Sequence, residues 1–352
     1  MSIEVYNDTK IYIACSANFA TGGTELLHQF GYHLINDLNV PASMYYYNFD
    51  NSKFKNPVHP EYEIYKVPYI TDQQAIEDDR VNILIVPEIL GGLMQLKKYE
   101  KIRKGIWFLS VDNYYLHKLM KEKLLNKKPL FIFSLEKYLN KLDKLAEKYD
   151  YKKDDLLKLA DFYMANSFRV LEWFKELKPM YHLQDNILNP LFYSVNFEDF
   201  LSQKEDIVVY NPAKGLDFTR KIMSKAKYIK FVPISNMTRE EVIKTLLRAK
   251  VYIDFGHFPG PERIPKEAAI LGCCVITGKR GCAAFFEDVP IPDEYKFEDR
   301  EENIPKIIEK IRDCFENFEE RYKDFEYYRK VVRNGPQKFV EDLRKIFVKV
   351  EK

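Results

Sequence analysis

The sequence lacks several features that would point to particular classes of protein. Its 55 Lys and Arg residues nearly balance 53 Asp and Glu residues, giving a formal net charge of +2, whereas nucleic-acid binders usually carry a clear basic excess. Cysteine is scarce, with five residues, and no pair has the spacing of zinc ligands. We therefore expect no nucleic-acid partner and no zinc site, and a reducing, cytoplasmic compartment.

Long apolar stretches are also missing. No uninterrupted apolar run approaches the ~18 residues that cross a membrane, and the chain does not open on a basic segment followed by an apolar one. The stretch 117–133 interleaves Lys with Leu, Met and Phe. This pattern suits an anionic membrane surface, but it is more often a solvated amphipathic helix. Membrane contact, if any, is expected to be peripheral, at the inner face.

Two nucleotide-binding signatures are absent. The 13 glycines never form G-x-G-x-x-G, and the run from Gly272 to Gly278-Lys279 fails as a P-loop because five residues separate the glycines and Arg280 replaces Ser or Thr. No D-x-D occurs, so no carboxylate pair of that kind is placed to hold a divalent ion through a diphosphate. We expect neither a dinucleotide cofactor nor a metal.

What the sequence does contain is an alternation of short apolar runs with longer helix-period segments. This alternation predicts βαβ units and parallel sheets covered on both faces. The predicted strands are 10–15, 42–48, 82–87, 105–110, 161–166, 206–211, 228–233, 250–255 and 273–277; predicted helices include 23–38, 167–177, 215–226 and 238–249. The fold class is therefore α/β, with two Rossmann-like domains expected to face each other across a cleft.

The length of 352 residues suits two domains. The segment 178–204 contains Pro and Asn without a clear period and is predicted to be a linker. We predict an N-terminal Rossmann-like domain over 1–190, with a Lys- and Leu-rich helical excursion at 116–160. A C-terminal Rossmann-like domain is predicted over 191–335, and a last helix over 336–352 is expected to pack back on the first domain.

Ligands of open α/β sheets bind outside the carboxyl ends of the strands, so the loops after strands are candidate sites. After the first strand, Gly22 and Gly23 precede a helix, with Thr24 as a candidate N-cap. They form either a plain βα turn or a place where backbone N–H groups meet anionic oxygens. After the sixth strand, Lys214 precedes Gly215, where an ammonium could reach a phosphate or remain solvated.

The stretch GHFPGPERIPKEAA, residues 256–269, combines three prolines with several charges. Pro265 predicts a helix start there, which would put Glu267 in the first turn. Arg263 offers a planar fork suited to bidentate phosphate contact, and Glu267 has two oxygens that could accept from both hydroxyls of a ribose. The ordinary alternative is that Glu267 complements the helix dipole and Arg263 pairs with Glu262 on the surface.

Other loops supply further candidates. A second basic loop follows the next strand and consists of Gly278, Lys279, Arg280 and Gly281. In the first half, Asp112 follows a strand, and Glu25 and His28 lie near the first glycine loop. By position alone, each of these three is a candidate base or sugar contact, although a structural role is the commoner one.

These loops resemble motifs of nucleotide-sugar-dependent glycosyltransferases of the GT-B architecture, in particular the retaining family with a Glu-rich donor motif. The similar segments are ATGGTELLH (20–28), NPAKG (211–215), IPKEAAILGCCVITG (264–278), MANSFRVLEWF (164–174) and NILNPLFYSVNFEDF (186–200). The resemblance implies that Glu267 binds the donor ribose, that Lys214 and a neighbouring Arg hold the diphosphate, and that the glycine loops close on the sugar and phosphates. We accordingly expect the domain 1–190 to lie on the acceptor side and the domain 191–335 to bind the nucleotide-sugar donor.

The chain also departs from that family. The family's first motif Glu is Pro259 here, and its usual Arg is Val209. Arg263 or Arg280 is expected to replace that Arg. The family retains anomeric configuration, so that no protein base is obligatory; for an inverting enzyme, Asp112 is our first choice as general base.

The sequence therefore predicts a metal-independent glycosyltransferase that moves a sugar from a nucleotide-diphosphate donor to a glycan, lipid-linked or other hydroxyl acceptor, in surface polysaccharide or glycoconjugate synthesis. Two alternatives remain open. One is a sugar-nucleotide epimerase or hydrolase of the same architecture. The other is a non-catalytic nucleotide-sugar-binding subunit.

Overall fold

The computed structural model describes residues 2–125 and 142–351. The chain divides into two compact units. We call them the N-terminal unit, Met1–Asp185 with Lys338–Lys352, and the C-terminal unit, Asn186–Gln337. The predicted domain boundary, between residues 190 and 191, lies five residues beyond the observed one, which follows Asp185.

A seven-stranded parallel sheet organises the N-terminal unit. Its strands are β2 (Ile11–Cys15), β3 (Ala42–Tyr46), β4 (Tyr69–Ile70), β5 (Ile83–Pro87), β6 (Arg103–Phe108), β7 (Phe162–Ala165) and β8 (Met180–His182). Their order is β4-β3-β2-β5-β6-β7-β8, and all neighbours are parallel. Every residue of β2 and β5 is buried, as expected for strands covered on both faces.

The helices of this unit fill the connections between its strands. They are α1 (Gly22–Asn36), α2 (Leu90–Leu93), α3 (Val111–Leu125), α4 (Leu142–Lys148) and α5 (Phe168–Trp173). The C-terminal residues return to this unit through a helix, α13 (Gly335–Ile346), and a strand, β14 (Phe347–Lys349). The strand β14 pairs in parallel with β1 (Ile3–Val5), whereas the sequence predicted only a helix over 336–352.

The C-terminal unit contains a five-stranded parallel sheet. Its strands are β9 (Glu205–Tyr210), β10 (Lys230–Pro233), β11 (Ala249–Asp254), β12 (Cys274–Gly278) and β13 (Lys296–Phe297), in the order β10-β9-β11-β12-β13. Its helices are α6 (Pro190–Tyr193), α7 (Leu216–Lys225), α8 (Arg239–Arg248), α9 (Arg263–Ile270), α10 (Ile304–Glu316), α11 (Phe318–Arg321) and α12 (Glu326–Arg333). All residues of β12 are buried.

Each of the nine predicted strands overlaps an observed one, so the predicted alternation is confirmed. The strands that the sequence missed are β1, β4, β8, β13 and β14, each of two or three residues, too short to give an apolar run. One of them, β8, corrects the linker prediction for 178–204, since it pairs with β7. All five cysteines are free and buried.

The predicted helical excursion at 116–160 is only partly described. It contains most of α3, all of α4 and two short 3₁₀ turns, Tyr151–Lys153 and Leu157–Leu159. Residues 126–141 lie outside the described residues, and so does the second half of the basic stretch 117–133.

Candidate functional site

Three loops at the carboxyl edge of the five-stranded sheet contain or directly adjoin most of the predicted site residues. They are 211–215, 255–262 and 279–281, which follow the neighbouring strands β9, β11 and β12. Parallel strands end at one edge of a sheet, and this is where open α/β sheets bind ligands. We call these three loops the three-loop edge.

The first two loops are in direct backbone contact. Gly215 has a φ of 58°, and a Cβ at this position would lie 2.5 Å from the carbonyl carbon and oxygen of Phe255. At Gly256, a Cβ would lie 2.4 Å from the Cβ of Lys214. Both distances are impossible for real Cβ atoms, so the glycines are what allow Lys214 to lie against the second loop.

The second and third loops are joined in the same way. Gly281 has a φ of 64°, and a Cβ there would come within 2.0 Å of the carbonyl oxygen of Phe258. The same oxygen accepts a hydrogen bond of 2.9 Å from the Cys282 N–H, and Phe258 forms a parallel bridge with Gly281. The packing therefore brings Lys214, the start of α9 and the predicted basic loop to one edge of the C-terminal unit.

The helix α9 begins earlier than Pro265 predicts. Glu262, in extended conformation, is its N-cap, Arg263 is its first residue and Pro265 its third. Glu267 is therefore the fifth residue, in the second turn, which corrects the predicted first-turn position. Only 6% of Glu267 is exposed, so it is a buried carboxylate on the helix and not a surface charge that complements the helix dipole.

Lys214 has an acidic partner on the same edge. Its Nζ forms an ion pair with Glu262, and both side chains are less than one third exposed. Glu262, which the sequence offered as a surface partner of Arg263, is thus bound by Lys214 in the structure. A cation and an anion meet at the N-terminal end of α9, where backbone N–H groups also favour anionic ligands.

The basic residues of the third loop are tied to a neighbouring segment. Lys279 pairs with Asp293 at 2.8 Å, and the Nε of Arg280 donates to Asp299 at 2.9 Å. Gly278, the last residue of β12, has ordinary room for a Cβ, the nearest atom being the Phe255 Cα at 3.6 Å. In this loop, then, the close approach requires glycine at Gly281 and not at Gly278.

Asp254 is a residue of this edge that the sequence reasoning missed. It ends β11, and its carboxylate accepts from the Gly256 N–H at 2.8 Å and from the Tyr252 hydroxyl at 3.0 Å. Burial raises the pKa of the Asp254 carboxyl to about 6, an effect that the nearby Lys214 opposes. The signal in the sequence was an Asp closing an otherwise apolar strand, KVYIDF.

The predicted glycine loop of the N-terminal unit opens α1. Thr21, not Thr24, is the N-cap, and the two threonines form a reciprocal capping box, which corrects the predicted cap. Gly22 and Gly23 are the first two helical residues, and a Cβ at Gly23 would lie 3.3 Å from the Leu109 side chain. The loops after β2 and β6 are therefore neighbours at the carboxyl edge of the seven-stranded sheet.

Asp112 is not placed as a general base. It is the second residue of α3 rather than the end of a strand, it is fully buried, and Arg169 binds both of its oxygens, at 2.5 and 3.1 Å. Accepting a proton would break a buried, bidentate ion pair, which is strongly destabilising. The structure thus assigns Asp112 to holding α3 against α5.

Glu88 is a buried carboxyl group at the carboxyl edge of the seven-stranded sheet that the sequence reasoning missed. It directly follows β5, is 1% exposed and accepts from the Leu109 N–H at 2.9 Å. Burial raises the pKa of Glu88 to about 7, and carboxyls of this kind are candidates for acid–base roles. The sequence signal was a Glu immediately after the apolar strand NILIVP.

Within 2–125 and 142–351, no group of three or more His, Cys, Asp or Glu side chains is arranged to hold a metal ion. In those ranges, no helix is both long enough and apolar enough to cross a membrane.

Comparisons with known proteins identify the type of fold. No protein-family model matches the sequence, and no curated protein matches it. Solved structures do match. A glycosyltransferase from Rickettsia africae ESF-5 has 13% identity and a TM-score of 0.60 over 96% of this chain and 98% of that one. TarM has 11% identity and a TM-score of 0.60 over 95% and 98%.

A third match is the catalytic domain of starch synthase IV from Arabidopsis thaliana, bound to ADP and acarbose. It has 10% identity and a TM-score of 0.51 over 95% of this chain and 96% of that one. At such identities the likeness concerns architecture and not substrate. The chain has the GT-B fold of these neighbours, with two Rossmann-like units built on parallel sheets.

Proposed function

We propose that this protein is a glycosyltransferase that takes a sugar from a nucleotide-diphosphate donor bound at the three-loop edge. The observation that carries the proposal is the contact of the three loops, which brings Lys214 to the N-terminal end of α9 at the carboxyl edge of the sheet. The similar starch synthase IV is described as bound to ADP and acarbose, a nucleoside diphosphate and a carbohydrate, and this supports the same ligand classes here.

In this proposal Lys214 binds the diphosphate. Its ammonium is already paired with an anion, the Glu262 carboxylate, and a phosphate oxygen would replace that carboxylate. The first backbone N–H groups of α9 would add donors toward the same anion. Because negative charge grows on the diphosphate as the glycosidic bond breaks, a positioned cation stabilises the transition state more than the ground state.

The other site residues would surround the same ligand. Arg263, the first residue of α9, would contribute a guanidinium, and Glu267 would accept from the ribose hydroxyls. In the third loop, Lys279 and Arg280 would exchange their present carboxylate partners for phosphate. Gly281 keeps this loop against Phe258, and Gly278 precedes it.

We further propose that transfer is metal-independent and retains anomeric configuration. Metal independence rests on four cations at or next to the three-loop edge, Lys214, Arg263, Lys279 and Arg280. They supply the positive charge that a divalent ion supplies elsewhere. Retention rests on the resemblance of 264–278 to the retaining family. Gly22 and Gly23, the first residues of α1, are proposed as donor-binding residues on the resemblance of 20–28 to the glycine loop of that family.

The acceptor is proposed to be a hydroxyl of a glycan or of a lipid-linked glycan, in surface polysaccharide or glycoconjugate synthesis. We also propose a cytoplasmic location, with peripheral contact at the inner membrane face. Sedimentation with vesicles of anionic or neutral lipids tests this contact. A protein that sediments with neither kind of vesicle would contradict it.

Calorimetry of UDP, ADP and GDP binding tests the donor site. We expect Lys214→Gln to weaken binding of the preferred nucleotide by about tenfold or more, because a charge-assisted contact to phosphate is lost. Lys225→Gln, at the exposed end of α7, is the matched control and should leave binding unchanged. Equal affinity of the Lys214→Gln variant and the original protein would refute the proposed diphosphate site.

Turnover with matching nucleotide sugars and a panel of hydroxyl acceptors tests the reaction. Transfer with the same anomer in donor and product, in the presence of a chelator, is the expected result. Release of free sugar or an epimerised donor without any acceptor would instead support an epimerase or hydrolase. Tight nucleotide binding without turnover would support a binding subunit.

A further inference from the structure

Asp254 is a buried carboxyl group of the C-terminal unit to which the proposed function assigns no role. It is the last residue of β11, where the second loop of the three-loop edge begins, and only 3% of it is exposed. Its Oδ1 accepts from the Gly256 N–H at 2.8 Å, and its Oδ2 accepts from the Tyr252 hydroxyl at 3.0 Å. Both oxygens thus have donors, as an ionised carboxylate in a protein interior requires.

The side chain of Lys214 passes next to this carboxylate. A Cβ at Gly256 would lie 2.9 Å from Asp254 Oδ1 and 2.4 and 3.3 Å from the Cβ and Cδ of Lys214. Glycine at this position therefore lets the lysine side chain and the carboxylate come close to each other. The Nζ of Lys214 pairs with Glu262, so the charge of one lysine acts on two carboxylates, those of Glu262 and Asp254.

The other ionisable groups near Asp254 include further acids. Burial has the largest effect on the pKa of Asp254 and raises it, and Glu262, the N-cap of α9, raises it further. Burial, Asp254, Glu262 and Glu267 likewise raise the pKa of Tyr252, whose hydroxyl donates to Asp254. The neighbouring strand β12 contributes Thr277, which pairs with Asp254 and is uncharged. Three carboxyl groups therefore act on one buried tyrosine.

Cations reach this region from the first loop and from α9. They are Lys214, Arg263 and Lys266. Arg263 begins α9, and the Nζ of the fully buried Lys266 donates to the Pro261 carbonyl oxygen at 3.1 Å. Among these cations Lys214 acts most strongly on Asp254, because it lowers the pKa of that carboxyl against the larger effect of burial. The ionisation of Asp254 therefore depends on what the Lys214 ammonium binds.

A diphosphate at Lys214 would change this balance. Its negative charge would offset the charge of the ammonium, and repulsion between anions favours the neutral form of a nearby carboxyl. The Gly256 N–H can only donate, so Oδ1 stays an acceptor and the proton goes to Oδ2, which can then donate to the Tyr252 hydroxyl. A neutral Asp254 thus keeps both of its hydrogen bonds.

We propose that Asp254 is a positioning residue of the donor site and that its carboxyl takes up one proton from solvent when a nucleoside diphosphate binds at Lys214. In the ligand-free protein the carboxylate holds Gly256, against which the Lys214 side chain lies. In the complex the neutral carboxyl no longer competes with the phosphates for the ammonium. This role rests on the proposed diphosphate site.

Calorimetry of UDP, ADP and GDP binding at pH 7, in buffers of different ionisation enthalpy, counts the protons taken up. Asp254→Asn keeps an acceptor for Gly256 and a donor for Tyr252, so it imitates the neutral form. We expect the original protein to take up about half a proton more per nucleotide than this variant, since Asp254 is mostly ionised before binding. The terminal phosphate of the nucleotide also titrates, but it is common to both proteins. Asp206→Asn, at an exposed carboxylate of β9, is the control and should match the original protein.

The pH dependence of affinity separates this role from a merely structural one. If the bound diphosphate makes Asp254 about a tenfold weaker acid, the affinity of the original protein should fall about fivefold from pH 6 to pH 8 relative to Asp254→Asn. A structural defect in the variant would instead weaken its binding equally at both pH values. Such a constant ratio, or equal proton uptake by the two proteins, overturns the proposal.

Nucleotide sugars give a second measurement that needs no variant. UDP-glucose, ADP-glucose and GDP-glucose have no phosphate that titrates near neutral pH, so a proton taken up when one of them binds goes to the protein. We expect uptake of about half a proton at pH 7, and binding without uptake overturns the proposal alone. Absence of binding by every nucleotide and nucleotide sugar refutes the donor site and, with it, this role of Asp254.

Discussion

Glu88 gives the sharpest quantitative test of the structure. Its carboxyl is buried at the end of β5, where the Leu109 N–H donates to one of its oxygens. Burial disfavours the charged form and raises the pKa from its ordinary value of 4.5 to about 7. Glu88→Gln keeps the shape and an acceptor oxygen but removes the ionisation.

The sign and size of the effect follow from proton linkage. Between pH 4.5 and about 7 the unfolded chain releases the Glu88 proton while the folded protein keeps it. The contribution of this group to stability is therefore fully present below 4.5 and is lost as pH rises through about 7. One pKa unit is worth about 1.4 kcal/mol, so the stability of the Gln variant relative to Glu should rise by ~2.5 kcal/mol from pH 5 to pH 8.

Urea unfolding of both proteins, followed by circular dichroism across this pH range, measures the difference. Other titrating groups are common to the two proteins and cancel. Glu100→Gln, at an exposed carboxylate, is the control and should shift stability little at either pH. A stability difference between Glu88 and Gln that is constant from pH 5 to pH 8 would show that burial does not hold the proton on Glu88.

Three further changes probe the C-terminal unit. Lys204→Met should lower the free energy of unfolding by about 3 kcal/mol in urea titrations, because the Nζ of Lys204 donates to three carbonyl oxygens, at 2.8–2.9 Å, that would each lose this hydrogen bond. An effect below about 1 kcal/mol would contradict this. Gly281→Ala should lower the free energy of unfolding by ~2 kcal/mol or more in urea titrations and weaken UDP binding, because the added Cβ would collide with Phe258. An unchanged urea midpoint would contradict the contact between the second and third loops. Glu262→Gln should strengthen UDP binding up to about fivefold in calorimetry, because the Glu262 carboxylate no longer competes with phosphate for Lys214. Weaker binding would mean that Glu262 itself contacts the ligand.

The class of fold could be predicted from the amino-acid pattern alone. Apolar runs such as NILIVP and CCVIT, separated by helix-period segments, predict parallel strands buried on both faces, and β5 and β12 are buried throughout. This signal is local, since each run carries its own periodicity. The motifs in loops 211–215 and 255–262 were also recognisable, because glycine and proline after a strand indicate a tight turn in which backbone segments approach each other closely.

Which side chains meet depends on the folded chain and could not be predicted from the sequence. The ion pair of Lys214 with Glu262 joins residues 48 positions apart, and the pairing of Asp112 with Arg169 joins residues 57 apart. The periodicity of a sequence does not reveal such partners. Asp112 was therefore the first choice of general base for an inverting enzyme, although a buried guanidinium binds it. The ionisation of Glu88 and Asp254 was likewise hidden, because a raised pKa depends on burial by the whole fold and not on neighbours in sequence.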